Sequence, residues 1–249
     1  MATLREVALP LATICTAVPT AGEGICDRCH GCPNLGWSRC WSCERVESQL
    51  SQPCELIVPI SLYQVGHQLH YQLRHYKGEN GALARDFLVK IAALLGYFLQ
   101  LHEACIATAA SGGWDVISSV PSSTDRAGEH PLVTAINLVP SLREKYEPLL
   151  RRGPANLTHT IASDDGYQPL RRLDGERVLL VDDTFTSGAR AQSAASALNN
   201  AGALVTAIVP IGRVITPNWS QQTEDYWHRQ SRLDYDFDLC CIGGRHIGE

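Results

Sequence analysis

Residues 178–190 read Val-Leu-Leu-Val-Asp-Asp-Thr-Phe-Thr-Ser-Gly-Ala-Arg. The four apolar residues Val178 to Val181 predict a buried strand of a parallel sheet, because strands covered on both faces lose the polar alternation of half-buried ones. Two carboxylates, Asp182 and Asp183, stand at its carboxyl end. A loop of small residues from Thr184 to Gly188 follows, then an Ala-rich run, Ala189 to Ala201, that predicts a helix. Ligands of open α/β sheets bind beyond the carboxyl ends of strands. A small-residue loop entering a helix N-terminus turns backbone N–H groups toward an anion. The stretch therefore calls for a phosphate in the loop and for hydroxyls or a metal on the carboxylates, and a phosphorylated sugar meets both demands. An ordinary strand–turn–helix with acidic turn residues is the plainer alternative.

The 249 residues are enough for one large domain, or a large and a small one. Apolar content of 45% and charged content of 19% fit a globular chain with a core. Net charge is −5, which leaves no global footprint for nucleic acid. No apolar run is long enough to span a bilayer, and the first residues lack a basic n-region followed by a long apolar stretch, so a cytoplasmic protein is expected.

Outward from residues 178–190, Leu204–Pro210 predicts the next strand and Trp114–Val120 an earlier one, ending at Pro121-Ser122. Leu56–Ile60 predicts a strand as well. Residues 80–101 carry apolar side chains at helical spacing (Leu83, Phe87, Leu88, Ile91, Leu94, Leu95), with Asn80 as the expected N-cap. Pro131–Val139 and Leu142–Arg152 predict helices. Residues 1–25 read as a strand or loose arm, 153–177 as irregular, and 211–249 as lacking periodicity. The alternation of strand and helix predicts an α/β fold with a mainly parallel sheet covered by helices on both faces. The division expected is an arm and Cys-rich module over 1–54 and an α/β domain over 55–249.

Five of the ten cysteines fall between Cys26 and Cys43. Cys26-Asp-Arg-Cys29 and Cys40-Trp-Ser-Cys43 form two pairs, each with two residues between its cysteines, and ten residues separate the pairs. Each tight turn presents two sulfurs to one ion, and two such turns complete a tetrahedral shell, so a structural Zn²⁺ on Cys26, Cys29, Cys40 and Cys43 is expected. His30 and Cys32 compete for a place in it. Residues 1–54 hold four Arg and no Lys against five acidic residues, too little positive charge to neutralise many phosphates. Trp37 and Trp41 are expected to pack the small module or to dock a protein partner rather than to stack on bases.

The strand, acidic pair and loop resemble the phosphoribosyl pyrophosphate (PRPP) signature of type I phosphoribosyltransferases. The order of a Cys-rich segment, a basic-aromatic stretch at Leu73-Arg-His-Tyr-Lys-Gly-Glu79, Val120-Pro121-Ser122 and the PRPP signature is similar to that of the ComF family. The resemblance implies a type I phosphoribosyltransferase fold beside a zinc-ribbon-like module, and transfer of a 5-phosphoribosyl group to a nucleobase or other nitrogen nucleophile with Mg²⁺. It implies that Asp182 and Asp183 hold the ribose hydroxyls, and that Thr184, Thr186, Ser187, Gly188 and Ala189 wrap the 5′-phosphate. Val120, Pro121 and Ser122 would enter the pyrophosphate loop. Lys77, with Arg74 and Arg126, would counter its charge, and His75, His130 and His159 are candidate proton carriers by residue type. The chain departs from the family in three places. Thr184 and Phe185 replace aliphatic residues. Thr186 stands where 6-oxopurine enzymes carry a third Asp. Residues 122–131 hold one Arg where the family has several. Binding of PRPP or a nucleotide without turnover, as a regulatory protein or an accessory protein of DNA uptake or repair, is the alternative implied.

Overall fold

The computed structural model describes residues 3–78, 81–122 and 129–243. Its centre is a four-stranded parallel sheet in the order β1 (Ser61–Gln64), β6 (Leu204–Ile215), β5 (Arg177–Phe185), β2 (Val116–Ser119). The chain is α/β, as its alternation predicts. Alternate residues of the strands enter two separate cores. Leu179 and Val181 pack with α4 (Ala82–Ala109) and α5 (Pro131–Asn137) on one face, while Val178 and Leu180 pack with α7 (Ala189–Asn200) and the clustered cysteines on the other. Thr206 is an extra residue in β6 opposite the Val178–Leu179 step. Its hydroxyl donates to the Val178 carbonyl at 3.1 Å, which satisfies the side chain at the bulge.

Several elements differ from the sequence reading. The extended run Leu56–Ile60 does lie along β6, with Val58 N–H on the Ile208 carbonyl at 2.8 Å, but regular strand begins only at Ser61. Pro59 and Pro210 lack N–H groups and interrupt the ladder there. Helix α4 reaches Ala109 rather than residue 101. Gly81 holds its N-cap position, and Asn80 lies outside the described residues. Leu142–Arg152 is not a helix. A short α6 (Pro140–Arg143) stops before Pro148, whose ring a helix interior does not tolerate. Beyond it β3 (Leu150–Arg152), at the end of the run read as a helix, pairs antiparallel with β4 (Tyr167–Pro169), inside the region read as irregular. Residues 4–8 form α1, capped by a reciprocal Thr3–Glu6 box, and 9–14 continue as a 3₁₀ turn where a strand or loose arm was expected. Residues 68–75 form α3, and 221–230 form α8, whose Tyr226 and Trp227 are buried although no periodicity marked them.

The cysteine-rich segment, with its helix α2 (Trp41–Glu47), is joined to the sheet layer rather than set apart. Cys26, Cys29, Cys40, Cys43 and Cys54 share one apolar core with Leu180, Phe185 and Ala194. Gln192 of α7 closes a reciprocal pair with the Cys54 backbone, at 2.8 and 2.9 Å. From the other side, Tyr226 of α8 donates to the His30 carbonyl. Trp37 and Trp41 do not pack this segment. They are 63% and 53% exposed, and the Arg45 guanidinium lies 5.1 Å from the Trp41 ring.

Candidate functional site

Strand β2 leads toward α5 on one face of the sheet, and its neighbour β5 leads into α7 on the other. The two chains part at their carboxyl ends and open a crevice, the position where α/β sheets bind ligands. A cavity of about 240 Å³ fills it. Lys77, Val120, Pro121, Ser122, Asp182, Asp183, Thr184, Thr186, Ser187, Gly188 and Ala189 all line this one cavity. His130 and His159 line it too. Arg74 and His75 do not; both are exposed on α3, where His75 stacks on Tyr71. Arg126 lies outside the described residues.

The acidic pair is not beyond the strand. Regular pairing of β5 continues through Asp182 opposite Pro210 to Phe185 opposite Arg213. Asp183 is consequently 6% exposed and held by two partners. Lys77 Nζ lies 2.5 Å from its Oδ2, and the Tyr76 hydroxyl donates to the same oxygen at 2.6 Å. Burial alone would raise the Asp183 pKa, but the Lys77 charge and these two hydrogen bonds outweigh it and hold the carboxyl below its usual range. Asp182 is half-buried, and its Oδ1 accepts the Asp183 N–H at 2.8 Å. Burial and the adjacent Asp183 charge push it above the ordinary carboxylate range. The two neighbouring carboxylates are thus pushed in opposite directions, Asp183 toward the anion and Asp182 toward the protonated form.

The loop after β5 is set by Gly188. Its φ of 87° is left-handed, and a Cβ there would meet the buried Phe185 ring at 2.4 Å. Gly188 holds the N-cap position of α7, so the N-terminal turn of the helix closes the loop. The Ser187 hydroxyl accepts from Ala189 N–H at 3.3 Å, and Arg190 adds a cation to the cavity wall. The arrangement gathers a helix N-terminus, two carboxylates and two cations around one crevice, with Lys77 paired to Asp183. It suits a ligand that carries both phosphate and hydroxyls.

Cys26, Cys29, Cys40 and Cys43 are buried and unbridged, with their sulfurs all within 4.8 Å of one another. The Cys29 and Cys40 sulfurs are 3.7 Å apart, and the Cys40 N–H points at Cys26 Sγ at 3.3 Å. Four buried thiols with N–H groups aimed at sulfur could hold a structural metal such as zinc. His30 is turned away: its Nδ1 donates to the Pro19 carbonyl at 3.0 Å. Cys32 packs instead against the Tyr226 and Trp227 cluster.

One residue that sequence reading did not select joins the two sites. Arg213 of β6 is buried, and its Nη1 donates to the carbonyls of Thr186 and Val214, both at 2.5 Å. Its Nη2 reaches Cys29 Sγ at 3.4 Å. Hydrogen bonds from the neighbouring thiols, and the Arg213 charge, hold Cys29 well below the usual thiol range. Tyr76 and Arg190 were missed as well. Arg190 ends the very stretch that was read for phosphate binding, so its place was available to inspection.

Searched against protein-family models and against curated proteins, the chain matches none. No helix of the described residues is long and apolar enough to cross a membrane.

Proposed function

We propose that this chain is a ComF-like protein of the type I phosphoribosyltransferase class, which binds PRPP and transfers its 5-phosphoribosyl group to a nitrogen nucleophile with release of pyrophosphate. The observation that carries the proposal is the convergence of the acidic pair, the Thr184–Ala189 loop and Val120–Ser122 on one crevice where β2 and β5 part. Loop N–H groups and the first turn of α7 receive the 5′-phosphate. Asp182, half-buried at the wall, accepts a ribose hydroxyl. Asp183, kept charged by Lys77 and Tyr76, supports the positive charge that develops on the sugar as its bond to pyrophosphate breaks. Lys77 and Arg190 offset the phosphate charges. Bound with the substrate, Mg²⁺ would supply further neutralisation of the leaving pyrophosphate, and Asp182 is the carboxylate placed to assist it. Zinc is the ion best suited to the four thiols, in a structural role, and the exposed Trp37 and Trp41 beside it offer a surface for a protein partner.

A panel of nucleobases and small amines, each mixed with PRPP and Mg²⁺ and followed by pyrophosphate release, tests the proposal. Release that depends on an acceptor and is abolished by Asp182→Asn supports it. The sparse Arg content of residues 122–131 favours a second reading, in which PRPP is bound and sensed without turnover. PRPP binding with no release under any acceptor selects that reading.

A further inference from the structure

A second cluster of metal-binding side chains lies on the opposite face of the sheet, independent of the crevice and of its proposed function. His102 and Cys105 sit one turn apart on α4 and so project from the same side of the helix. Cys240 comes from residues 231–243, which carry neither helix nor strand. The three ligand atoms lie within 4.8 Å of one another. Cys105 Sγ is 3.4 Å from Cys240 Sγ and 3.6 Å from His102 Nδ1, and no disulfide joins the thiols.

We propose that His102 Nδ1, Cys105 Sγ and Cys240 Sγ form a second zinc site, which fastens segment 231–243 to α4. Three observations carry it. The first is the spacing. Zinc bonds to sulfur and nitrogen give tetrahedral edges of about 3.8 Å between sulfurs and about 3.5 Å between sulfur and nitrogen, so the two edges at Cys105, 3.4 and 3.6 Å, already lie within a few tenths of an ångström of those of a zinc site, and the third lies within 4.8 Å. The second is the state of the imidazole. His102 Nε2 lies 2.8 Å from the Phe237 carbonyl, which only accepts, so Nε2 carries the proton and Nδ1 faces the Cys105 thiol. A ring fixed through its far nitrogen by a backbone carbonyl is the usual support of a metal-bound histidine. The third is charge. A divalent ion with two thiolates and a neutral imidazole sums to zero, so the site buries no net charge among apolar neighbours. His102 and Cys240 are buried, and Cys105 is partly exposed, which leaves that side for a water to complete the shell. The donor set of two sulfurs and one nitrogen selects a borderline-soft ion over Mg²⁺ or Ca²⁺.

The site also accounts for the order of a segment without regular backbone pairing. Phe237 packs beside Tyr97 and Tyr235, and its carbonyl orients the histidine. A metal on Cys240 would hold the chain three residues further on.

The test is zinc content of the purified full chain after desalting into metal-free buffer. Wild type should carry about two zinc ions and Cys105→Ser/Cys240→Ser about one, with the circular dichroism spectrum retained. Protease cleavage within 231–243 should become faster in the variant. Equal zinc content in the two proteins overturns the proposal. So does a wild-type peptide map in which Cys105 and Cys240 are joined with the loss of two hydrogens, which assigns a disulfide. If the variant does not fold, wild type decides. Alkylation of Cys105 should be slow with zinc present and accelerate at least tenfold after chelation, and identical rates refute the site.

Discussion

Replacing Arg213 by Met is the most informative single change, because one buried guanidinium touches the loop, its own strand and a cluster thiol. Methionine keeps a similar unbranched stem, while the guanidinium that lies 5.5 Å from the Phe185 ring is lost. What disappears is the charged donor to the Thr186 and Val214 carbonyls and to Cys29 Sγ. Each hydrogen bond from a charged donor contributes about 1.5–3 kcal/mol. Removing the buried charge returns part of that, because Arg213 Nε has no partner among the described residues and its desolvation costs about 1–3 kcal/mol. The net expectation is a loss of about 3–5 kcal/mol, the range measured when one member of a buried charged pair is removed. For a chain of this size that lowers the melting temperature by roughly 6–20 °C. Zinc retention should fall as well, by about 10–100-fold in affinity, since a group that hydrogen-bonds a ligand sulfur is lost. Scanning calorimetry and competition with a chromogenic zinc chelator read the two effects. An unchanged or raised melting temperature together with unchanged zinc retention would refute the coupling, and would show that the guanidinium is tolerated rather than used.

Three further outcomes follow from the same geometry. Gly188→Ala should destabilise the fold by about 2–4 kcal/mol, from left-handed strain plus overpacking against Phe185, so that weakened phosphate binding cannot be separated from lost stability; a denaturant midpoint equal to wild type contradicts this. Loss of the metal through Cys26→Ser or Cys43→Ser should disturb the Thr184–Gly188 loop as well as residues 26–54, because both share a core and Arg213 joins them. Hydrogen exchange confined to 26–54 would show them to be independent. On pH, Asp182 is raised, so binding of PRPP with Mg²⁺ should tighten as pH rises through its titration and should release a proton; titrations in buffers of different ionisation enthalpy that detect no release refute the assignment. Asp183 is lowered, so its contribution to stability is present above the ordinary carboxylate range and disappears as pH falls through its lowered value.

The parts of the molecule legible in the sequence are those whose causes are local. The run Val178–Val181, the small loop and the Ala-rich helix are specified by adjacent residues, and so are the two cysteine pairs. What the sequence hid depends on partners far along the chain. Asp182 and Asp183 read as a strand end because two carboxylates rarely sit inside a sheet. They do so here because Tyr76 and Lys77, more than a hundred residues earlier, meet Asp183. Arg213 stands 184 residues from Cys29, and nothing near either one announces the contact. The region after Leu142 could have been read better. Pro148 excludes a continuous helix, and the charged residues around it suggested one only by composition. Helix α8 escaped notice because it buries just Tyr226, Trp227 and Gln230 on one narrow face.

Calorimetric titration of PRPP with Mg²⁺ into wild type and into Asp182→Asn/Asp183→Asn tests the central claim most directly. The account predicts saturable binding to wild type at one site per chain, lost in a variant that still melts cooperatively, since the lost charge-assisted hydrogen bonds each contribute about 1.5–3 kcal/mol. Equal affinity in the two proteins, or no binding to a folded wild type, would contradict it.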